Sequence, residues 1–401
     1  MTSLLLLIGL GVAVFVGFNI GGSSTGVAFG PAVGSRVLSK LGAAGLMAGF
    51  ALLGGWTVGR NVVATMGGKI VPAELFTLGA SVGVLFFVGL ALLVSNLFGV
   101  PASTSMTAVG AIAGLGVAAG NIDWSVMGRI VSWWLVAPII AFWLCAVVGR
   151  YLYPYLDVWF RIDQSEGPLF EYNRVGSIPY PAPSTNTNRR ELVSSVLVIV
   201  IGCYMAFSAG ASNVANAVAP LVGSEALAMN QGILLAAGAI ALGAFTIARR
   251  TLDTVGNDLT DLPLLAALIV EVVSASLITF LSYFGIPASL AVSATMCIIG
   301  LGWGRATRAV TVRDAAVAAV RGDGDETADD GGDAGGVSVN ALTAETDPEV
   351  RRIGEEEPGE LQTGDLFDPA ATGRVIMLWI LTPSIAALAS FLLFEFFPIY
   401  Q

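Results

Sequence analysis

Long uninterrupted apolar windows dominate the chain. No Asp, Glu, Lys or Arg occurs in 1–35, 41–59, 75–122, 130–149, 192–224, 226–248, 272–304 or 375–394. A helix needs about 20 predominantly apolar residues to cross a bilayer. Several windows reach that length, and the longest has room for two crossings. The pattern predicts an all-α polytopic membrane protein. In the first half it gives six segments, roughly 2–19, 22–38, 41–59, 75–98, 101–119 and 130–150.

Two polar stretches divide this pattern. One, at 155–191, holds Pro179, Pro181, Pro183 and the run STNTNRR, and reads as a linker. The other, at 305–371, contains GDGDETADDGGDAGG and EEEPGE, which are rich in Gly and acids and poor in aromatics. Such a composition buries too little apolar surface to order itself, so it is expected to be a disordered loop. The resulting organisation is a first membrane repeat (1–154), the linker (155–191), the first part of a second repeat (192–304), the acidic loop (305–371) and a final helix (372–401).

Composition sharpens this picture. Of 401 residues, 12% are charged, about half the share in an ordinary soluble domain. The net charge of −10 is confined to 305–368, and the rest of the chain balances at zero. All but two of the 19 basic residues are Arg, the exceptions being Lys40 and Lys69, and there is no His; the mixture resembles that of salt-adapted archaeal proteins. Without His, His-based triads and His-ligated metals or haem are excluded. Nucleic-acid binding would need a basic face, which this balance does not offer. Cys145, Cys203 and Cys297 lie far apart in apolar windows and read as small core residues. The apolar N-terminus lacks a basic leader region and reads as a first span.

The chain also repeats itself. Shifted by 189 positions, GGSSTGVAFGPAVGS (21–35) falls on GASNVANAVAPLVGS (210–224), and GGWTVGRNVVATMGG (54–68) on GAFTIARRTLDTVGN (243–257). Near a shift of 186, FGVPAS (98–103) meets FGIPAS (284–289). At 245, GRIVSWWLVAP (128–138) meets GRVIMLWILTP (373–383). The jump between the last two shifts matches the acidic insertion. Duplicated halves in an apolar chain are characteristic of secondary transporters, whose sites lie where helices break at the repeat interface.

Two breaks per half are expected. One is the Gly/Ser/Asn-rich stretch containing Ser23, Ser24 and Thr25, with Ser212, Asn213 and Asn216 in the second copy. The other is the Pro-Ala-Ser turn with Ser103, Thr104 and Ser105, and its counterpart Ser289. A Pro-x-Ser turn entering a helix aims unpaired N–H groups at one point, which favours an oxyanion. Asn side-chain oxygens and freed carbonyls suit a hard cation such as Na⁺. The substrate-binding set is therefore Ser23, Ser24, Ser103, Thr104, Ser105, Ser212 and Ser289. The coupling-cation set is Asn213, Asn216, Thr25 and Glu271, with no other metal.

At these residues the chain resembles the inorganic phosphate transporter family, from about Gly21 to Pro383. The match is most specific at Gly210, Ala211, Val214, Ala215, Asn216 and Ala217 of its GANDVANA-type motif. The resemblance implies a cation-coupled phosphate permease with two inverted-topology repeats. It also marks departures: the family's Asn-Asp is Ser212-Asn213 in one copy and Ser23-Ser24 in the other. The His that closes its PVSTTH-type motif is Met106 or Val292. Loss of both carboxylates leaves a more neutral site, which could suit sulfate.

Glu271 is the acid inside the expected span 262–285, about 15 Å along the axis from Asp261 at about 1.5 Å per residue. Intramembrane carboxylates are functional by default, so proton or cation coupling is assigned to it. Arg60 and Arg249 recur between halves and read as interfacial anchors. Arg residues flank both long loops, and the positive-inside rule places those loops in the cytoplasm. The expectation is a multi-pass protein of the cytoplasmic membrane that carries phosphate by alternating access as a symporter. Na⁺ or H⁺ is the coupling ion, with no other cofactor. Its partners are phosphate or a related oxyanion and the lipid bilayer, with a homodimer as a candidate assembly. A sulfate permease of the same fold and an anion channel are the alternatives. No nucleophile–base pair or metal cluster suggests an enzyme.

Overall fold

The computed structural model of the protein describes residues 2–97, 103–159, 170–175, 178–183, 189–246, 263–309 and 369–401. The first repeat comprises α1 (Thr2–Gly34), α2 (Lys40–Thr57), α3 (Gly59–Met66), α4 (Leu78–Leu97), α5 (Thr104–Ala118) and α6 (Trp124–Val147). A π-helical turn leads from α6 into α7 (Tyr153–Trp159). The second repeat comprises α8 (Arg189–Gly223), α9 (Met229–Thr246), α10 (Leu264–Tyr283), α11 (Leu290–Ala306) and α12 (Pro369–Phe396). Among the described residues, seven helices are long and apolar enough to cross a membrane, and α2 with α3 forms an eighth candidate bent by 61°. Within the linker, β1 (Phe170–Val175) pairs antiparallel with β2 (Ile178–Pro183). The acidic stretch 310–368, Arg249, Asp261 and Pro101 lie outside the described residues.

One expectation is corrected. The Gly/Ser/Asn-rich stretches do not interrupt their helices. The segments read as 2–19 and 22–38 are a single 33-residue helix, and α8 runs unbroken for 35 residues through Ser212–Asn216. Backbone at membrane depth must be hydrogen-bonded, and these hydroxyls reinforce the helix. Thr25 Oγ1 donates to Gly21 O at 2.7 Å, and Ser23 Oγ donates to Ile20 O at 3.2 Å. The carbonyls expected to be free are therefore engaged in the helix. The glycines serve packing. A Cβ on Gly21 would run into Ile240 O, and one on Gly210 into Ala51 O. Such small-residue faces let membrane helices approach closely.

Those contacts also carry the duplication into three dimensions. Gly21 and Gly210, like Ile240 and Ala51, stand 189 positions apart, so the two close approaches are one contact made twice. Gly54 against Phe207 O repeats as Gly243 against Phe18 O, and Gly114 against Ala387 O repeats as Gly300 against Phe142 O. At the level of helices, α1 packs on α9 and α8 on α2, while α5 packs on α12 and α11 on α6. Each repeat thus gives its last helix to the other's short helix. One equivalent position has diverged: Ser390 Oγ donates to Ala111 O at 2.6 Å, whereas the other half has Cys145 and Cys297 at the corresponding positions. All three cysteines are buried and free.

The second Pro-Ala-Ser motif does lie between helices. Pro287 and Ala288 precede α11, and Ser289 caps it by accepting from Val292 N at 3.3 Å. Ser103 occupies the equivalent position before α5 but makes no side-chain cap. At 15 and 17 residues, α5 and α11 reach about 22–26 Å at about 1.5 Å per residue, short of a hydrocarbon core of about 30 Å.

Candidate functional site

The middle of α8 meets the start of α5 in a buried polar network. Thr104 Oγ1 donates to Asn213 Oδ1 at 2.7 Å. Asn216 Nδ2 lies 3.1 Å from the same oxygen, and 3.2 Å from both Thr104 Oγ1 and Ser105 Oγ. Ser105 and Ser212 exchange a hydroxyl contact at 3.1 Å, and Ser212 Oγ donates onward to Ala288 O at 2.7 Å, in the turn before α11. Asn213 Nδ2 points at Ser24 Oγ, 3.4 Å away. Ser24 and Asn213 are repeat counterparts, so the two copies of the motif touch at the positions where the resemblance expects Asp.

A small, partly open cavity lies against this network, lined by Ser23, Ser24, Val27, Thr104, Asn213, Ser289, Leu290 and Ala291. Its lining contains three serines, one threonine and one asparagine, and no charged side chain. The motifs of both repeats are brought together, as the spacing predicts. Hydroxyl and amide donors converging at a low-dielectric site can hold an oxyanion without a basic residue, because each bond is stronger there than in water.

The remaining predicted residues divide. Ser105, Ser212 and Asn216 lie behind the wall and hold Thr104 and Asn213 in place. Ser103 is fully buried, and its hydroxyl has no partner among the described residues. Thr25 is turned to its own helix. Glu271, 4% exposed on α10, does not line the cavity; among the described residues its Oε1 has no hydrogen-bond partner, and neither has Asn216 Oδ1. Arg60 Nη2 donates to Asn230 Oδ1 at 2.6 Å, and the guanidinium lies over the Trp56 ring, away from the cavity.

Three features escaped the sequence reading. Val27, Leu290 and Ala291 supply apolar wall, and nothing in their type marks them. Asn96 Nδ2 donates to Asn19 Oδ1 at 3.1 Å, tying α4 to α1. Trp134 Nε1 donates to Pro287 O at 2.8 Å; Trp134 and Trp379 coincide in the repeat, which marks the residue and not its partner.

The chain is 31% identical to the sulfate permease CysP of Bacillus subtilis (strain 168), over 72% of this chain and 75% of that protein. It is 26% identical to a Chlamydia muridarum protein named "Putative phosphate permease", over 75% of this chain and 89% of that one. A solved structure titled as the sodium-dependent phosphate transporter has the same fold, with a TM-score of 0.68 over the whole of both chains at 18% identity. The model of the phosphate transporter family matches residues 20–390. The chain belongs to the phosphate transporter family, whose members are transporters and not enzymes.

Proposed function

We propose that this protein carries inorganic phosphate across the cell membrane by alternating access, driven by a co-transported cation. The observation that supports this best is the network Thr104–Asn213–Asn216–Ser105–Ser212, which joins both motifs beside a hydroxyl-lined cavity. Ser24 and Ser289 donate to the oxyanion, and the Ser23 and Thr104 hydroxyls, which here donate to Ile20 O and Asn213 Oδ1, turn to it when it binds. Ser103, Ser105 and Ser212 support them from the turn and the helix behind.

Asn216 Oδ1 and Glu271 Oε1 are acceptor oxygens, buried without a partner among the described residues. Such atoms are costly to bury unless something satisfies them. A sodium ion on the Asn213–Asn216 side, near Thr25, or a proton on Glu271 would do so, and either event would couple cation movement to the anion. The Glu271→Gln variant is expected to lose the dependence of uptake on a pH gradient. Uptake that keeps its full pH dependence would remove Glu271 from the mechanism.

Sulfate is the second reading. The cavity lining has no carboxylate to accept the proton that hydrogen phosphate carries and sulfate lacks, and the relative CysP is named a sulfate permease. The deciding experiment is uptake of labelled phosphate and labelled sulfate into proteoliposomes, with Na⁺ and pH gradients imposed separately. Phosphate should accumulate against its gradient under at least one of them. Accumulation of sulfate alone selects the second reading, equilibration without accumulation indicates a channel, and movement of neither anion overturns the transport assignment.

A further inference from the structure

On α1, one hydroxyl of the cavity wall is held more loosely than its neighbours on the same helix. Ser23 Oγ donates to Asn19 O at 3.3 Å and to Ile20 O at 3.2 Å, whereas Thr25 reaches Gly21 O at 2.7 Å and Ser35 reaches Pro31 O at 2.6 Å. An ordinary bond between two oxygens measures about 2.7–2.8 Å. The cause lies at Asn19 O. That carbonyl accepts the helix's own amide from four residues on, and Asn96 Nδ2 of α4 approaches it at 3.4 Å while donating to Asn19 Oδ1 at 3.1 Å. Asn19 is 2% exposed and fixed in turn, its Nδ2 donating to Phe15 O at 2.9 Å. A carbonyl oxygen has two lone pairs, so three donors compete for them, and the hydroxyl is the one crowded off.

The second repeat is arranged differently. The counterparts of Asn19, Ser23 and Asn96 are Ser208, Ser212 and Ser282. Ser208 Oγ donates to Ala275 O at 3.0 Å, Ser212 Oγ donates across to Ala288 O at 2.7 Å, and Ser282 Oγ has no partner among the described residues. Helices α8 and α10 pack together as α1 and α4 do, so the helix pair assembles without carboxamides. Ser23 lines the cavity and Ser212 does not. Two carboxamides thus stand behind the motif serine that faces the cavity, and two serines behind the one that does not.

We propose that Asn96 is a positioning residue for the anion site: from α4 it occupies Asn19, so that the Ser23 hydroxyl leaves its own helix when the anion arrives and donates to it. This rests on the oxyanion reading above and adds to it a residue that does not touch the anion. The hydroxyl leaves at little cost, because Asn19 O keeps two other donors and no buried acceptor is orphaned. The bond that it gains is to a charged partner, and is therefore shorter and stronger than the two it gives up.

The test uses the full chain in proteoliposomes with labelled phosphate and labelled sulfate. Asn96→Leu removes the amide and keeps the size of the side chain, and Asn96→Ser gives α4 the residue that α10 has at Ser282. Each should raise KM for the transported anion about fivefold, with Vmax within about twofold of wild type. Ser23→Ala should raise KM about tenfold, and Asn96→Leu added to it should raise it no further, because both act on one hydroxyl. A wild-type KM in the Asn96 variants overturns the proposal, and so do effects of Asn96→Leu and Ser23→Ala that multiply. A second measurement needs no transport. In detergent, Ser23→Cys is labelled with a small methanethiosulfonate reagent, and the unsubstituted chain with its three buried cysteines supplies the background. Adding Asn96→Leu should slow this labelling about fivefold, since the thiol then rests on Asn19 O instead of facing the cavity; equal rates overturn the proposal. If the wild-type chain accumulates neither anion, the transport reading fails, and the labelling rates then decide the role of Asn96 by themselves.

Discussion

Two kinds of small, polar stretch recur in this chain, and they fold in opposite ways. The stretch around Ser23–Thr25 and its copy around Ser212–Asn216 sit inside continuous helices. The stretch around Ser289 lies at a helix start, behind a proline whose carbonyl is taken by an indole. The difference lies in the backbone. Gly, Ser, Thr and Asn weaken a helix in water, but inside a membrane the helix is the cheapest way to satisfy their amides. Proline lacks the N–H and biases the residue before it away from helical geometry. Small polar residues without proline therefore become a packing and binding face, and with proline they become a turn.

Removing the polar groups of both kinds at once should have the largest effect. The double variant Ser103→Ala/Asn216→Ala deletes the amide that bonds Thr104, Ser105 and Asn213. It should abolish uptake while still inserting and purifying as a folded protein; transport at the wild-type rate would place the site elsewhere. Next in size is the packing face. Gly210→Ala puts a methyl group into the Ala51 backbone and should cost about 3 kcal/mol, read as a lowered Tm in detergent. An unchanged Tm would mean that α2 and α8 are less closely packed than described.

The two motif serines can then be set against each other. Ser289→Ala loses a helix cap and should cost about 1 kcal/mol. Ser103→Ala removes a hydroxyl that has no partner among the described residues and should leave stability within about 0.5 kcal/mol of wild type. Equal losses from the two would erase the asymmetry between the repeats.

The smallest effect is expected at α6, whose start is set by a cap and not by proline. Asp123 accepts from Ser125 N and Val126 N. The Ser125 hydroxyl first, and then the Val126 amide, hold its carboxyl below the usual 3.8. A carboxylate depressed in the folded state adds stability above its unfolded pKa and loses it as pH falls through the folded value. Wild type should therefore lose slightly more Tm than Asp123→Ala on acidification below about pH 4, and parallel curves would show that the cap contributes nothing.

Much of this was legible in the sequence, for identifiable reasons. Apolar windows, proline turns and a duplicated pattern are local or periodic signals. They gave the helices α2, α4, α5 and α6 to within a few residues, except for the start of α6, and the meeting of Ser24, Thr104, Asn213 and Ser289. The continuity of α1 was not legible, because Gly21 reads as a helix breaker until Ile240 is placed against it. Glu271 was singled out for its charge, yet its distance from the cavity depends on the face of α10 that carries it. The Trp134 contact joins residues 153 positions apart, and no local pattern encodes such a pair.

The exchange of last helices between the repeats has a further consequence, for synthesis. The face of α5 that carries Gly114 is covered by α12, which begins about 250 residues after α5 ends. At about 5–20 residues per second, that face waits on the order of 10 to 50 s for its partner to leave the ribosome. The acidic insertion lies within that interval and lengthens it. The first repeat thus enters the membrane as an unfinished half, and its folding is completed by a helix made only after the other helices of the second repeat.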